Sequence, residues 1–285
     1  MRAAYTTRCT PPRTGNHGTM PGDCAQPPPH DSAENIRGLS PRLTLALLVS
    51  LPAAVVAGLL VLAVENVWGP LHDLDKSVAN SLHAQALDHP ALVHAMVLVS
   101  DFGSPTVMRV GTGLLAVVLW LRRARRLALW VGATMIGGAA IDTSLKTVVN
   151  RARPVFVHPV ATAPGASFPS GHAFTATLGA GVVLLVVLPL LPRRGRPVAW
   201  LLATLVPLAV GYSRVALGVH WVSDVVGGWL LGIGLLAGTT AAFEAWRHDH
   251  ALPRAHPVAE GVAPEESERA LHAPTHETAR RGQDA

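Results

Sequence analysis

The chain has 285 residues, 49% of them hydrophobic and only 14% charged, with a mean hydropathy of +0.34. Soluble domains carry about 25% charged residues, so the deficit argues against an ordinary soluble domain and for a bilayer. The net charge of +5 and pI of about 10.0 raise nucleic acid as a partner. The arginines, however, stand in short clusters between apolar runs, a distribution that follows membrane topology.

Residues 1–40 are rich in Pro, Gly, Thr and Asn, with a Pro27-Pro28-Pro29 run and no apolar periodicity. The composition predicts a disordered cytoplasmic tail, without the pattern of a signal peptide. Cys9 and Cys24 lie in it and form no disulfide framework or metal-ligand spacing; they read as free thiols. Leu43 to Val64 is the first span. Its ~22 residues at ~1.5 Å each reach ~33 Å, enough for the hydrocarbon core. Arg37 and Arg42 before it place the N-terminus in the cytoplasm.

In residues 65–88, Leu74, Val78, Leu82 and Ala86 recur every four positions, opposite Asp75, Lys76 and Asn80. This spacing predicts an amphipathic helix, lying on the outer membrane surface or packed on the protein. The apolar stretch Ala91–Leu121 is interrupted by Asp101-Phe102-Gly103-Ser104-Pro105. It predicts an entering helix, a break, and a second span from about Thr106 to Leu121. Leu127–Asn150, Ala173–Leu191, Pro197–Leu217 and Asp224–Trp246 supply four more spans. The expected fold is therefore all-α, a six-transmembrane-helix bundle spanning 41–246, with a polar, disordered cytoplasmic tail over 247–285. The Arg122–Arg126 and Arg193–Arg196 clusters then fall on the cytoplasmic side. Lys146, Arg151, Arg153 and Arg214 fall on the outer face, against the positive-inside rule. Topology does not require them, so chemistry is their expected reason.

Three stretches on that face carry the candidate chemistry. Lys146 ends the third span, and Arg153-Pro154 follows just beyond. Lysine is a flexible point charge and arginine a planar fork, so together they suit phosphate oxygens. Snorkelling toward headgroups is the plain alternative, and Asp142 stands four residues before Lys146 as a simple partner. Pro169-Ser170-Gly171-His172 opens the fourth span, where free backbone N–H groups and the helix dipole favour an anion. Ser170 also reads as an N-cap, and His172 lies in the first turn. Ser213-Arg214 precedes His220 and Asp224, which at four residues apart can meet on one face. A carboxylate on one imidazole nitrogen fixes the tautomer and frees the other to attack. Asp224 or Ser223 also reads as a helix cap.

Lys146-x6-Arg153-Pro154, Pro169-Ser170-Gly171-His172 and Ser213-Arg214-x5-His220-x3-Asp224 together resemble the three-part signature of the type-2 phosphatidic acid phosphatase superfamily. That family includes integral-membrane lipid phosphatases and shares its phosphate pocket with vanadium-dependent haloperoxidases. The resemblance implies an active site at the extracytoplasmic membrane edge. It implies His220 as the nucleophile that becomes a phosphohistidine, Asp224 as its orienting partner, and His172 as the general acid. Lys146, Arg153 and Arg214 would clamp the phosphoryl oxygens, with Ser170 and the Gly171 amide beside them. No metal and no cofactor is implied, since three fixed cations stabilise the charge. Arg151 lies outside the signature and reads as a headgroup contact; Arg109 has no assigned role, with Asp101 as a possible partner.

The implied activity is metal-independent hydrolysis of a lipid phosphate or pyrophosphate in the bilayer. Phosphatidic acid, phosphatidylglycerol phosphate and undecaprenyl pyrophosphate are all candidates, with no nucleic-acid partner. A phosphotransferase using an alcohol in place of water shares the first step. A lipid or anion transporter is the non-enzymatic alternative, opposed by the absence of an obvious inverted repeat and by polar residues gathered at one face.

Overall fold

In hydrocarbon every backbone N–H and C=O must be paired within the protein, so apolar runs of this length have to be helices. The computed structural model describes residues 41–250, 252 and 255–272. The expectations for residues 1–40, including Cys9 and Cys24, and for residues beyond 272 fall outside them. Ten α-helices make up the described chain: α1 (Pro41–Glu65), α2 (Gly69–Asp88), α3 (Pro90–Phe102), α4 (Pro105–Leu121), α5 (Arg125–Val149), α6 (Gly171–Val187), α7 (Arg196–Ala216), α8 (Val222–Asp249), α9 (Pro257–Glu260) and α10 (Pro264–His272). No strand occurs among the described residues.

Among the described residues, six segments are long and apolar enough to cross a membrane, α3 and α4 counting as one from Pro90 to Leu121. The protein is a multi-pass membrane protein with an all-α bundle. Large apolar side chains such as Leu51, Leu59, Leu98, Leu114 and Ile136 are more than half exposed, which suits lipid and not water. The centre is α6. Its most apolar stretch is 72% buried, against 17% for α1, and a helix apolar on every side belongs in the interior. Phe174, Leu178 and Val182 of α6 pack with Leu127 and Val131 of α5 and Leu119 of α4. On the α8 side the backbones close up at Gly228. A Cβ there would lie 2.8 Å from the Ser170 carbonyl oxygen and 3.0 Å from the Phe174 nitrogen.

The spans alternate in direction, so the end of α5, the start of α6, the end of α7 and the start of α8 meet at one end of the bundle. The Arg122–Arg126 and Arg193–Arg196 clusters lie at the other. The break between α3 and α4 comes at Gly103, with Ser104 as N-cap (Val107 N–H to Oγ, 3.3 Å) and Pro105 in the first turn. A Cβ on Gly103 would lie 2.1 Å from Val210, so the break is also where α3 docks on α7.

Two expectations change. The face of α2 turned inward is wider than the apolar repeat: Val78, Leu82 and Ala86 of that repeat pack inward, Asp75, Ala79 and His83 beside them are buried, and Leu74 is left 53% exposed. The helix packs on the protein through a face centred on a carboxylate. The tail is not wholly unstructured either. The last span runs on to Asp249, and residues 255–272 fold back onto the bundle, with Val262 and Ala263 in its core. Polar contacts hold them: the Leu127 N–H donates to Glu266 (3.0 Å), the Ser267 hydroxyl to the Val186 carbonyl (3.0 Å), and Arg247 pairs with Glu265. A few small buried residues and specific caps do what an apolar stripe would otherwise do, and that leaves little pattern in the sequence.

Candidate active site

Helix termini and the loop after α5 position the signature residues. Asn150, in the left-handed conformation (φ 40°), ends α5 and turns the chain into the loop that carries Arg151 and Arg153. Lys146, in the last turn, pairs with Asp142. Its Nζ lies against the start of α6, where a Cβ on Gly171 would be 2.8 Å away; only glycine lets the ammonium approach this closely. Asp142 also faces Arg109 at 4.0 Å, so Arg109 is partnered by Asp142 and not by Asp101. Ser170 caps α6, accepting from the Ala173 N–H at 3.4 Å, and its own N–H donates to the Asp224 carbonyl at 2.9 Å.

His220 and Asp224 sit at the start of α8, both buried. The carboxylate accepts the Trp221 N–H at 2.9 Å, so it caps the helix, and it stands 3.4 Å from His220 Nδ1. Cap and orienting partner are one group. On the other side of the ring, Nε2 lies 3.0 Å from an Arg153 Nη1. Guanidinium can only donate, so Nε2 carries the lone pair and Nδ1 the proton. Burial pushes the His220 imidazole down from 6.5 to about 4, helped by Arg153 and Arg214 and opposed by its bond to Asp224. The ring is therefore neutral at physiological pH, with Nε2 unprotonated. Lys146 lies against Gly171, Arg153 against His220, and the Ser170 N–H against the Asp224 carbonyl, which places the three stretches in one neighbourhood.

The cations are less open than the sequence implies. Arg153 spends all five N–H groups. Nε donates to the Gly165 carbonyl, Nη1 to the Val219 carbonyl and His220, and Nη2 to the carbonyls of Pro164 and Ala166. Burial also pushes this guanidinium below its ordinary value, against the opposing charge of Asp224. Arg214 Nη1 donates to the buried Ser100 hydroxyl at 2.5 Å, while its Nε is buried without a partner.

Sequence reasoning missed Asp75 and misread Arg151. Arg151 is no headgroup contact. It donates to Asp224 Oδ1 (2.6 Å), the Ser223 hydroxyl (2.7 Å) and Asp75 Oδ2 (2.8 Å). The available signal was that Asp75 shares a helical stripe with Ala79 and Ala86, small residues that permit close packing. Among the described residues, no group of three or more His, Cys, Asp or Glu is arranged to hold a metal ion. A cavity of about 630 Å³ between α6, α7 and α8 is lined mainly by apolar groups such as Leu184, Pro207 and Leu236; none of the signature residues lines it.

The model of the PAP2 superfamily matches residues 127–248. The decaprenylphosphoryl-5-phosphoribose phosphatase of Mycobacterium tuberculosis is 31% identical over 161 residues, 55% of this chain and 83% of that protein. The chain belongs to the PAP2 superfamily. An undecaprenyl-diphosphatase of Sulfolobus acidocaldarius is 33% identical over 142 residues, 48% of this chain and 64% of that protein's length. The crystal structure of a transmembrane PAP2-type phosphatidylglycerolphosphate phosphatase from Bacillus subtilis superimposes with a TM-score of 0.63 at 22% identity. The superposition covers 73% of this chain and 99% of that one. This PAP2 member therefore shares the fold of an integral-membrane relative across nearly all of the relative's length.

Proposed function

We propose that this PAP2 protein hydrolyses a lipid phosphate or diphosphate through a phosphohistidine on His220. The observation that carries the reading is the fixed tautomer. Nδ1–H faces Asp224 and Nε2 is held as an acceptor by Arg153, the arrangement a nitrogen nucleophile needs. Nε2 attacks phosphorus as the bond to the lipid-side oxygen breaks, and His172 gives that oxygen its proton. Water then attacks the phosphohistidine, with His172 taking the proton and the N–P bond breaking to release phosphate.

Lys146, Arg214, Ser170 and the Gly171 N–H surround the phosphoryl oxygens. A buried Arg214 Nε without a protein partner is costly, and an anionic oxygen offsets that cost. For Arg153, engaging the phosphate means sharing or giving up the N–H it directs at Nε2. The chemistry needs positioning and charge stabilisation, both of which these side chains supply without a metal.

The site faces the extracytoplasmic edge of the membrane, with both termini inside. The arginine clusters gather at the opposite end of the bundle, as the positive-inside rule requires. A lipid there presents its phosphate without leaving the bilayer. Polyprenyl substrates in the names of two relatives make undecaprenyl pyrophosphate the first lipid to assay, ahead of phosphatidylglycerol phosphate and phosphatidic acid.

Purified protein with this panel should release phosphate in the presence of EDTA, and His220→Ala should abolish release. Label from radioactive substrate should appear on His220, stable to base and labile to acid. Unlabelled protein under rapid quench, with full turnover, points instead to direct attack by water. Reporter fusions after Arg125 and Arg194 should read cytoplasmic, and one after Val160 external; the reverse pattern overturns the orientation.

A further inference from the structure

We infer that Asp75 and Arg151 are positioning residues for phosphoryl transfer: a buried carboxylate–guanidinium pair that holds Asp224 against His220. The inference rests on the reading of His220 as nucleophile. Asp75 belongs to α2, outside the residues matched by the family model, and no signature position includes either residue.

Every oxygen in the assembly is accounted for. Asp75 Oδ1 accepts the Ser223 N–H at 2.9 Å; Oδ2 accepts the Ser223 hydroxyl at 2.5 Å and Arg151 Nη2 at 2.8 Å. The Ser223 hydroxyl has one proton, given to Asp75, so it accepts from Arg151 Nη1 at 2.7 Å. The same Nη1 reaches Asp224 Oδ1 at 2.6 Å, leaving Oδ2 for the Trp221 N–H and His220. Both carboxylates are fully buried and the Arg151 side chain is 13% exposed. Buried charges persist only when paired. Two carboxylates share one guanidinium, so the assembly carries one negative charge directly behind the imidazole. That charge favours the positive, phosphorylated ring over the neutral one, and the bridging fixes the carboxylate plane. A lysine could not span three acceptors in this way, because only the planar fork presents donors in two directions.

The fork is also reachable from outside. Arg151 lines a cavity of about 310 Å³ together with Trp68, His72, Ala152 and Trp221, and its guanidinium lies 5.6 Å from the Trp221 ring. An Arg151→Ala variant therefore opens a guanidinium-sized site beside Asp75 and Asp224.

The test is full-length protein in detergent, with undecaprenyl pyrophosphate as substrate. Arg151→Ala, Arg151→Lys and Asp75→Asn should each lower kcat about 10- to 100-fold, with KM little changed. Adding millimolar guanidinium should restore part of kcat to Arg151→Ala, whereas urea, a neutral planar molecule, should not. Losses in the Arg151→Ala/Asp75→Asn pair should be less than additive, because both remove one assembly. Arg151→Lys keeps the charge, so its kcat decides the matter if the alanine variant fails to fold. Wild-type kcat in these variants, a loss confined to KM, or equal recovery with urea each overturns the inference. A wild-type protein as inactive as His220→Ala overturns the functional reading instead.

Discussion

Asp224→Asn removes a charge while keeping the shape, and the hydrogen-bond network dictates the result. The carboxylate oxygens face donors on both sides: Arg151 Nη1 at Oδ1, the Trp221 N–H and His220 Nδ1 at Oδ2. An amide offers one acceptor and one donor. If its oxygen turns to Arg151, its NH₂ meets His220 Nδ1 and forces that nitrogen to become the acceptor. The proton then moves to Nε2, where it collides with the Arg153 N–H at 3.0 Å. If the oxygen turns to His220, two sets of donors face each other across the Arg151 contact. The charged donor prevails, because a hydrogen bond to a charged group is about twice as strong as a neutral one. The wrong tautomer follows. In a serine-protease triad the equivalent change costs about 10⁴-fold in kcat, roughly 5 kcal/mol at 1.36 kcal/mol per decade. Phosphoenzyme formation in a single-turnover quench should therefore fall by three to four decades, on the order of those figures. The cap loses about 1 kcal/mol, a melting shift far too small to explain such a loss. Single-turnover rates within tenfold of wild type would refute this account of the tautomer.

The pH profile gives a second check. With His220 held near 4 instead of 6.5, Nε2 stays unprotonated down to mildly acidic pH. The acid limb of kcat/KM should have its midpoint near that lower value. The unfolded chain binds the His220 proton from 6.5 downward and the folded one only near 4, so stability should fall as pH drops through that window. A midpoint at 6.5 would contradict the burial argument. Gly228→Ala should cost about 1–3 kcal/mol, as forced overpacking does, because its Cβ meets backbone atoms of Ser170 and Phe174. Gly238→Ala in the same helix meets nothing within 4 Å and should be neutral or slightly stabilising; thermal melts in detergent compare the two. Glu266→Ala leaves the Leu127 N–H buried without its acceptor, a loss of about 1–3 kcal/mol. It should lower the melting temperature without changing kcat, since Leu127 lies at the end of the bundle away from His220.

The chain by itself determined the spans, their alternation and the residues that meet at their ends. Apolar run length, arginine clusters and helix-start signals are local properties, and a bilayer leaves helices as the only outcome for such runs. Lys146, His172, Arg214, His220 and Asp224 could be picked out because each is a charged or titratable group where lipid makes charge expensive. The four-residue pairs Asp142–Lys146 and His220–Asp224 were legible too; only the tertiary structure decided the pairings between distant residues. Asp75 meets Ser223 across 148 residues and Arg151 across 76, and its stripe on α2 looks polar until α8 covers it. Arg153 looks like a free clamp in sequence, yet loop carbonyls eleven to thirteen residues onward occupy most of its donors. Residues 255–272 read as a tail until Glu266 and Ser267 find backbone partners at α5 and α6. A pairing between distant groups leaves no periodicity along the chain, so the fold has to form before it can be seen.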